Sequence, residues 1–394
     1  MHNPSRATML PHIIRRPLLL ATALGMTFAH AATPPPRLVA GLLQPLVDHH
    51  ALAGAVILVA DKDKILDVES VGFADIAAHQ AMTEDSLFWI ASMSKAMTAA
   101  ALMILMDEGK VALGDPVDKY LPEFVGQAVS INPAAADAPS AKPVHPITIR
   151  NILSHTSGMA FSSPMESPTL DIHPLAERVR SYARMPLQFQ PDSKYQYANS
   201  GINTAGRIIE VISGMSYEDF MKKRLFVPLG MKDTTFMPTA IQLTRLAKSY
   251  KANPAGTDLE ETTVSQLKYP LDDRTRQPMP AGGLFSTAAD TARFCQMLIS
   301  GGSFQGQRIL SQAAVAQMTS RQTPAGLPES YGLGLSINGD GYGHGGALST
   351  NMNVDTKRGL ITVFMVQNAG WRDEGNQALP IFNKAAVENF GHSP

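Results

Sequence analysis

The chain has 394 residues, with 33 Lys and Arg against 34 Asp and Glu and a formal net charge of −1. That balance excludes the basic surface of a nucleic-acid binder, and the length suits one large domain or two closely joined lobes. Cys295 is the sole cysteine, which excludes an internal disulfide and leaves no second thiol for a redox or zinc pair.

Residues 1–31 have the layout of a secretory signal: Arg6, Arg15 and Arg16 at the basic end, an apolar stretch from Leu18 to Phe28, and the small-x-small site Ala29-His30-Ala31. Pro17, Gly25 and Pro34-Pro35-Pro36 would interrupt a core helix, and the stretch is too short to span a bilayer comfortably. The expectation is export, with a mature chain from residue 32 onward that is periplasmic or secreted and has no stable membrane span.

Arg37 to His50 carries apolar residues at helical spacing, and Ala55–Ala60 and Ile65–Gly72 read as strands around the polar turn Asp61–Lys64. Ser92 to Glu108 predicts a helix, almost wholly apolar from Ala96 to Met106 and closed by Gly109, which suits burial on most sides. From Asp115 to about Arg276 short helices alternate with Pro-rich loops, and Asn132–Pro146 reads as an exposed excursion. Tyr331–Ile337, Gly341–Gly345, Asn351–Asp355 and Leu360–Gln367 are spaced like an antiparallel meander, and Ala378 to Phe390 reads as a closing helix. The expected class is α+β, an antiparallel sheet flanked by helices. A sheet lobe from about 38–115 plus 277–394 would hold a mainly helical lobe, about 116–276, inserted between its halves. A cleft between two such lobes is a natural small-molecule site.

Candidate chemistry begins at Ser92-Met93-Ser94-Lys95. Residues i and i+3 share a helix face, so this spacing brings a hydroxyl within reach of an amine. A helix start also leaves backbone N–H groups unpaired, which favours a developing oxyanion. Chance alone supplies such a pattern, and a second copy occurs at Ser265-Gln266-Leu267-Lys268, in a polar stretch that reads as a surface loop. The first copy has company in Tyr197-Ala198-Asn199 and His344-Gly345-Gly346.

Those three elements, in that order, resemble the serine β-lactamase and penicillin-binding-protein family, particularly its branch of class C β-lactamases, family VIII esterases, D-aminopeptidases and D-alanyl-D-alanine carboxypeptidases. Leu113-Gly114-Asp115-Pro116-Val117, Leu153-Ser154-His155-Thr156-Ser157-Gly158, Pro228-Leu229-Gly230-Met231 and Ala281-Gly282-Gly283-Leu284-Phe285-Ser286 are similar to further family segments, so the likeness covers roughly residues 38–390. The resemblance implies a β-lactamase/transpeptidase-like fold in a single catalytic domain. It implies Ser92 as the acylated nucleophile, Lys95 and Tyr197 as the proton-accepting pair, and His344 beside them in proton handling. Asn199 would bind the acyl side of substrate or hold Lys95, Gly345 and Gly346 would admit a substrate backbone, and the N–H of Ala347 would join that of Ser92 as the oxyanion hole. No cofactor or metal is implied. The proton acceptor has two physical forms, a lysine depressed by burial or a tyrosinate held by cations, and the resemblance favours Tyr197 as base with Lys95 as its activator.

Lys-Thr-Gly is usual in the family where this chain has His344-Gly345-Gly346. A mostly neutral histidine weakens the grip on an anionic substrate. That tips the expectation from β-lactams toward an ester or a D-amino-acid peptide or amide. Lys357-Arg358-Gly359 follows Asp355 in what reads as a solvated turn. His155 reads as structural, since no Gly-x-Ser-x-Gly elbow accompanies it. The competing class is a non-catalytic or slowly deacylating penicillin-binding sensor of the same fold.

Overall fold

The computed structural model describes residues 39–131 and 140–391, so the export segment and residues 132–139 of the excursion lie outside the described residues. Helix α1 (Ala40–Asp48) leads into strands β1 (Gly54–Ala60), β2 (Ile65–Asp75) and β3 (Gln80–Ala81), and α2 (Ser94–Asp107) follows. The middle of the chain supplies α3 (Ile149–Ser154), α4 (Leu175–Ala183) and α5 (Asn199–Ser213). The last third supplies α6 (Ala288–Ile299), β4 (Ser336–Asn338), β5 (Gly341–Gly345), β6 (Asn351–Asp355), β7 (Leu360–Met365) and α7 (Ala378–Phe390).

Both ends of the chain build one antiparallel sheet, in the order β4-β5-β6-β7-β1-β2-β3. The central strand β1 reads Gly-Ala-Val-Ile-Leu-Val-Ala and is buried throughout, because helices cover both faces of the sheet. Alternation divides its side chains: Val56 and Leu58 join the core built around α2 and α6, while Ala55, Ile57 and Val59 join the core under α1 and α7. Buried Glu69 on β2 accepts the N–H groups of Val39 at 3.1 Å and Ala40 at 3.2 Å, which pins the positive end of α1 to the sheet.

Helix α2 is buried from Ser94 through Leu105, as its all-round apolar composition requires. It packs against α5, which also rests on α3 and α4. At Gly201 the α5 backbone comes so close to α3 that a Cβ would lie 2.7 Å from the Ile152 carbonyl oxygen. No helix among the described residues is long and apolar enough to cross a membrane.

Three local expectations are corrected. The helix expected from Ser92 begins at Ser94, because Ala91–Met93 forms a 3₁₀ turn ahead of it. The strand expected over Tyr331–Ile337 is reduced to β4, since the Gly332 N–H turns back onto the Leu335 carbonyl and Gly334 takes a φ of +70°. In the region expected to be helical, Ser249–Ala252 and Leu259–Thr262 pair as strands, and Asn368–Gly370 joins them in parallel.

Gly201→Ala should lower the free energy of unfolding by about 1–3 kcal/mol, the usual cost of overpacking, as read from the urea midpoint. An unchanged midpoint would show that α3 and α5 do not approach this closely.

Candidate active site

The nucleophile candidate stands on a strained, heavily tied turn. Ala91 has a φ of +45°, a region that a residue with a Cβ rarely adopts. The turn is held because Ile90 N–H donates to Leu284 O at 2.9 Å, Ser94 Oγ donates to Ala91 O at 2.6 Å, and Trp89 Nε1 donates to Gly282 O at 2.7 Å. The turn's own hydrogen bonds run from Met93 to Ile90 and from Ser94 to Ala91, so the Ser92 N–H stays outside the ladder. Ser92 itself is partly exposed and open to a ligand.

Lys95, in the first turn of α2, is fully buried. Its Nζ lies 3.0 Å from Ser92 Oγ, 2.8 Å from Asn199 Oδ1 and 2.7 Å from Ala281 O. None of these partners is a carboxylate, and burial holds the amine well below its ordinary value. An uncharged amine has two N–H groups and one lone pair. The amide and peptide oxygens can only accept, so they take the two donors and leave the lone pair facing the Ser92 hydroxyl.

Tyr197 enters on the segment before α5. Ala198 N–H donates to His155 Nδ1 at 3.2 Å, and the N–H groups of Asn199 and Ser200 donate to Phe161 O at 3.0 and 3.1 Å. His155 closes α3 at a φ of +61°, and burial pushes its pKa well down, so the ring is a neutral support for the Tyr197 segment. The Lys95 amine sits 4.7 Å from the centroid of the Tyr197 ring. Burial raises the Tyr197 phenol above its usual value, and the nearby Ser92 hydroxyl offsets this only in part. Tyr197 is therefore a neutral phenol at the cleft.

β5 brings the third element. His344 Nδ1 lies 2.6 Å from the Gly345 carbonyl oxygen, which can only accept, so this nitrogen carries the proton. Nε2 then accepts from the Tyr331 hydroxyl at 3.0 Å. Burial pushes the His344 pKa down to about 4. With both nitrogens engaged and the ring uncharged, His344 offers neither a free proton site nor a cation. Tyr331 was missed in the sequence because it reads as one more apolar strand residue. Gly345 is exposed, and a Cβ there would meet nothing nearer than Thr350 O at 3.6 Å. At Gly346 a Cβ would lie 2.7 Å from Ile90 O, so the end of β5 abuts the backbone just before Ser92. The Gly346 N–H closes a turn onto Thr350 O at 2.7 Å, with exposed Ala347 at its start.

The structure thus gathers Ser92, Lys95, Tyr197, Asn199 and His344 with Gly345, Gly346 and Ala347. The second Ser-x-x-Lys copy lies in a turn, where Lys268 pairs with Asp273 at 2.7 Å. Arg358 pairs with Asp355 in the exposed turn after β6. No cluster of His, Cys, Asp and Glu among the described residues could hold a metal ion.

Because the His344 pKa falls from 6.5 unfolded to about 4 folded, its unfolded form binds more protons between those values. Stability should be full above pH 6.5 and decline as pH drops toward 4, with His344 contributing about 3 kcal/mol of that loss. Urea melts at pH 7 and 4.5 on the wild type and His344→Gln should show a smaller pH difference in the variant. Equal differences would place the ring's pKa at its ordinary value.

Residues 39–385 match the family model described as Beta-lactamase. An uncharacterized protein of Mycobacterium tuberculosis is 31% identical over 365 residues, which cover 83% of this chain and 88% of that protein. Penicillin-binding protein 4 of Amycolatopsis lactamdurans is 34% identical over 302 residues, covering 76% of this chain and 72% of it. The solved structure of EstCE1, a hydrolase with promiscuous acyltransferase activity, shares the fold with a TM-score of 0.73 at 22% identity, over 88% of this chain and 97% of that one. The α+β fold with its antiparallel sheet and the matched residues agree, and the chain belongs to the beta-lactamase family, as a serine hydrolase.

Proposed function

We propose that this protein is an exported hydrolase that forms an acyl-enzyme on Ser92 and acts on uncharged esters or amides. The observation that carries this reading is the Lys95 amine, fully buried with no carboxylate partner, its pKa pushed down by burial, and 3.0 Å from a reachable serine hydroxyl. Export rests on the layout of residues 1–31.

In the proposed reaction Ser92 Oγ bonds the substrate carbonyl carbon while its proton passes to Lys95 Nζ. The carbonyl oxygen becomes an oxyanion facing the N–H groups of Ser92 and Ala347, and Asn199 steadies the acyl side. As the ester C–O bond breaks, the Lys95 proton reaches the leaving oxygen by way of the Tyr197 hydroxyl. Lys95, uncharged again, then takes a proton from the water that attacks the acyl carbon and returns it to Ser92 Oγ as the acyl C–Oγ bond breaks, which releases the acid and free Ser92. This assigns the base role to Lys95 and proton delivery to Tyr197, since the phenol's elevated pKa disfavours a resting tyrosinate. His344 acts as a strut that fixes the end of β5 and handles no proton of its own.

Substrate choice follows from charge. Apart from Lys95 the site residues include no Lys or Arg, and neutral His344 gives a carboxylate no anchor. Esters and amides without an anionic group are therefore favoured over β-lactams and carboxy-terminal peptides.

A parallel screen of p-nitrophenyl esters, nitrocefin and D-alanyl peptides, with Ser92→Ala as blank, tests the reading. The expected result is turnover of uncharged esters with covalent mass on the Ser92 peptide. A stable adduct without turnover would identify a sensor, and hydrolysis that survives Ser92→Ala would exclude the acyl-enzyme. Lys95→Ala should lower the acylation rate by about 10²–10⁴-fold, the range of general-base catalysis. Gly345→Val should impair turnover of bulky esters with an unchanged melting temperature, because its Cβ would meet Thr350 O at 3.6 Å and Asn351 Nδ2 at 3.8 Å, contacts without a clash.

A further inference from the structure

Asn203 touches none of the reacting groups, yet its contacts end on one of the two oxygens that orient the Lys95 amine. It lies one helical turn beyond Asn199 on α5 and is fully buried. Its Oδ1 accepts the Ala281 N–H at 3.0 Å, and the carbonyl of that same Ala281 accepts from Lys95 Nζ at 2.7 Å. The Asn203 amide is fixed at its other end, because Nδ2 donates to Tyr182 Oη at 2.9 Å and faces Glu166 Oε1 at 3.4 Å. Tyr182 in turn donates to Glu166 Oε1 at 2.5 Å. Thr98 Oγ1 holds the neighbouring Pro280 carbonyl at 2.7 Å, and the N–H groups of Gly282 and Gly283 both turn back onto Met279 O.

We infer that Asn203 is a positioning residue: it sets the Ala281 carbonyl so that the lone pair of Lys95 points at Ser92. The inference rests on the proposed role of Lys95 as base. Both acceptors that orient the amine then refer to one helix, Asn199 directly and Ala281 through Asn203. If the Pro280–Ala281 peptide that Asn203 and Thr98 hold turns about the Ala281 Cα, the next carbonyl shifts with it, the amine can rotate and its lone pair leaves the serine proton. The buried Glu166–Tyr182–Asn203 chain makes the amide's orientation unique, because flipping Asn203 would set its Nδ2 donor against the Ala281 N–H.

A double-mutant cycle tests this. The rate of covalent labelling of Ser92 by a fluorophosphonate is followed by mass spectrometry in the wild type, Asn203→Leu, Lys95→Ala and the double variant. Circular dichroism and thermal melts establish that each is folded. Asn203→Leu is expected to slow labelling about a hundredfold, the cost of about 1 Å of misplacement in a reacting pair. In the Lys95→Ala background the same change should cost less than about threefold, since interacting sites are non-additive. Equal costs in both backgrounds, or no cost in the first, would overturn the inference while leaving the acyl-enzyme reading intact. A wild type that takes no label at Ser92 would overturn both. If Asn203→Leu does not fold, Thr98→Val, which frees the adjacent Pro280 carbonyl, is put through the same cycle with the same two outcomes.

Discussion

Lys95 sits in the interior with its nitrogen shared among a serine hydroxyl, an amide oxygen and a peptide oxygen, and no carboxylate is among these partners. Taking an ammonium out of water without a counter-ion costs several kcal/mol, so the interior favours the uncharged amine. That constraint determines much of the surrounding architecture. Helix α2 must be apolar on every side to keep water from the amine, and the sequence from Ala96 to Leu105 supplies such a surface. It must also leave Ser92 reachable, and the 3₁₀ turn at Ala91–Met93 lifts the serine out of the buried helix while the lysine stays inside.

The same absence of charge extends across the cleft. Burial holds His155 and His344 neutral and keeps the phenols of Tyr197 and Tyr331 protonated, so the groups around Ser92 are polar but uncharged. Dipoles and hydrogen bonds, not fixed cations, must then orient a substrate. The strand edge is suited to this: Gly345 is exposed without a side chain, and Gly346 permits contact between the end of β5 and Ile90. The positive φ of Ala91 is held by hydrogen bonds from Trp89, Ser94 and Ile90.

The side chains of the proposed site were legible in the sequence because their spacing is short and local: Ser92 with Lys95, Tyr197 with Asn199, His344 with its two glycines. The apolar strands and the almost uniformly apolar α2 were equally plain. What escaped has a physical reason in each case. Ala281 contributes a carbonyl, which no residue type announces, and Asn203 acts through the N–H of the same residue, one peptide earlier. Tyr331 finds His344 only because Gly332 and Gly334 bend the chain before β4. The start of α2 was misplaced because Ser94 turns its hydroxyl onto Ala91 O, a local side-chain choice that competes with the helix and that apolar spacing does not reveal. The strands over Ser249–Ala252 and Leu259–Thr262 are short and half polar, and they depend on pairing with Asn368–Gly370 from far along the chain.

The central claim, an uncharged lysine at the serine, is tested most directly by a ¹³C NMR titration of the Lys95 side chain, with its resonance identified by loss in Lys95→Ala. The account predicts a midpoint well below the ordinary 10.5, set by burial. A midpoint at or above 10.5 would show a charged ammonium facing Ser92 and would contradict the account.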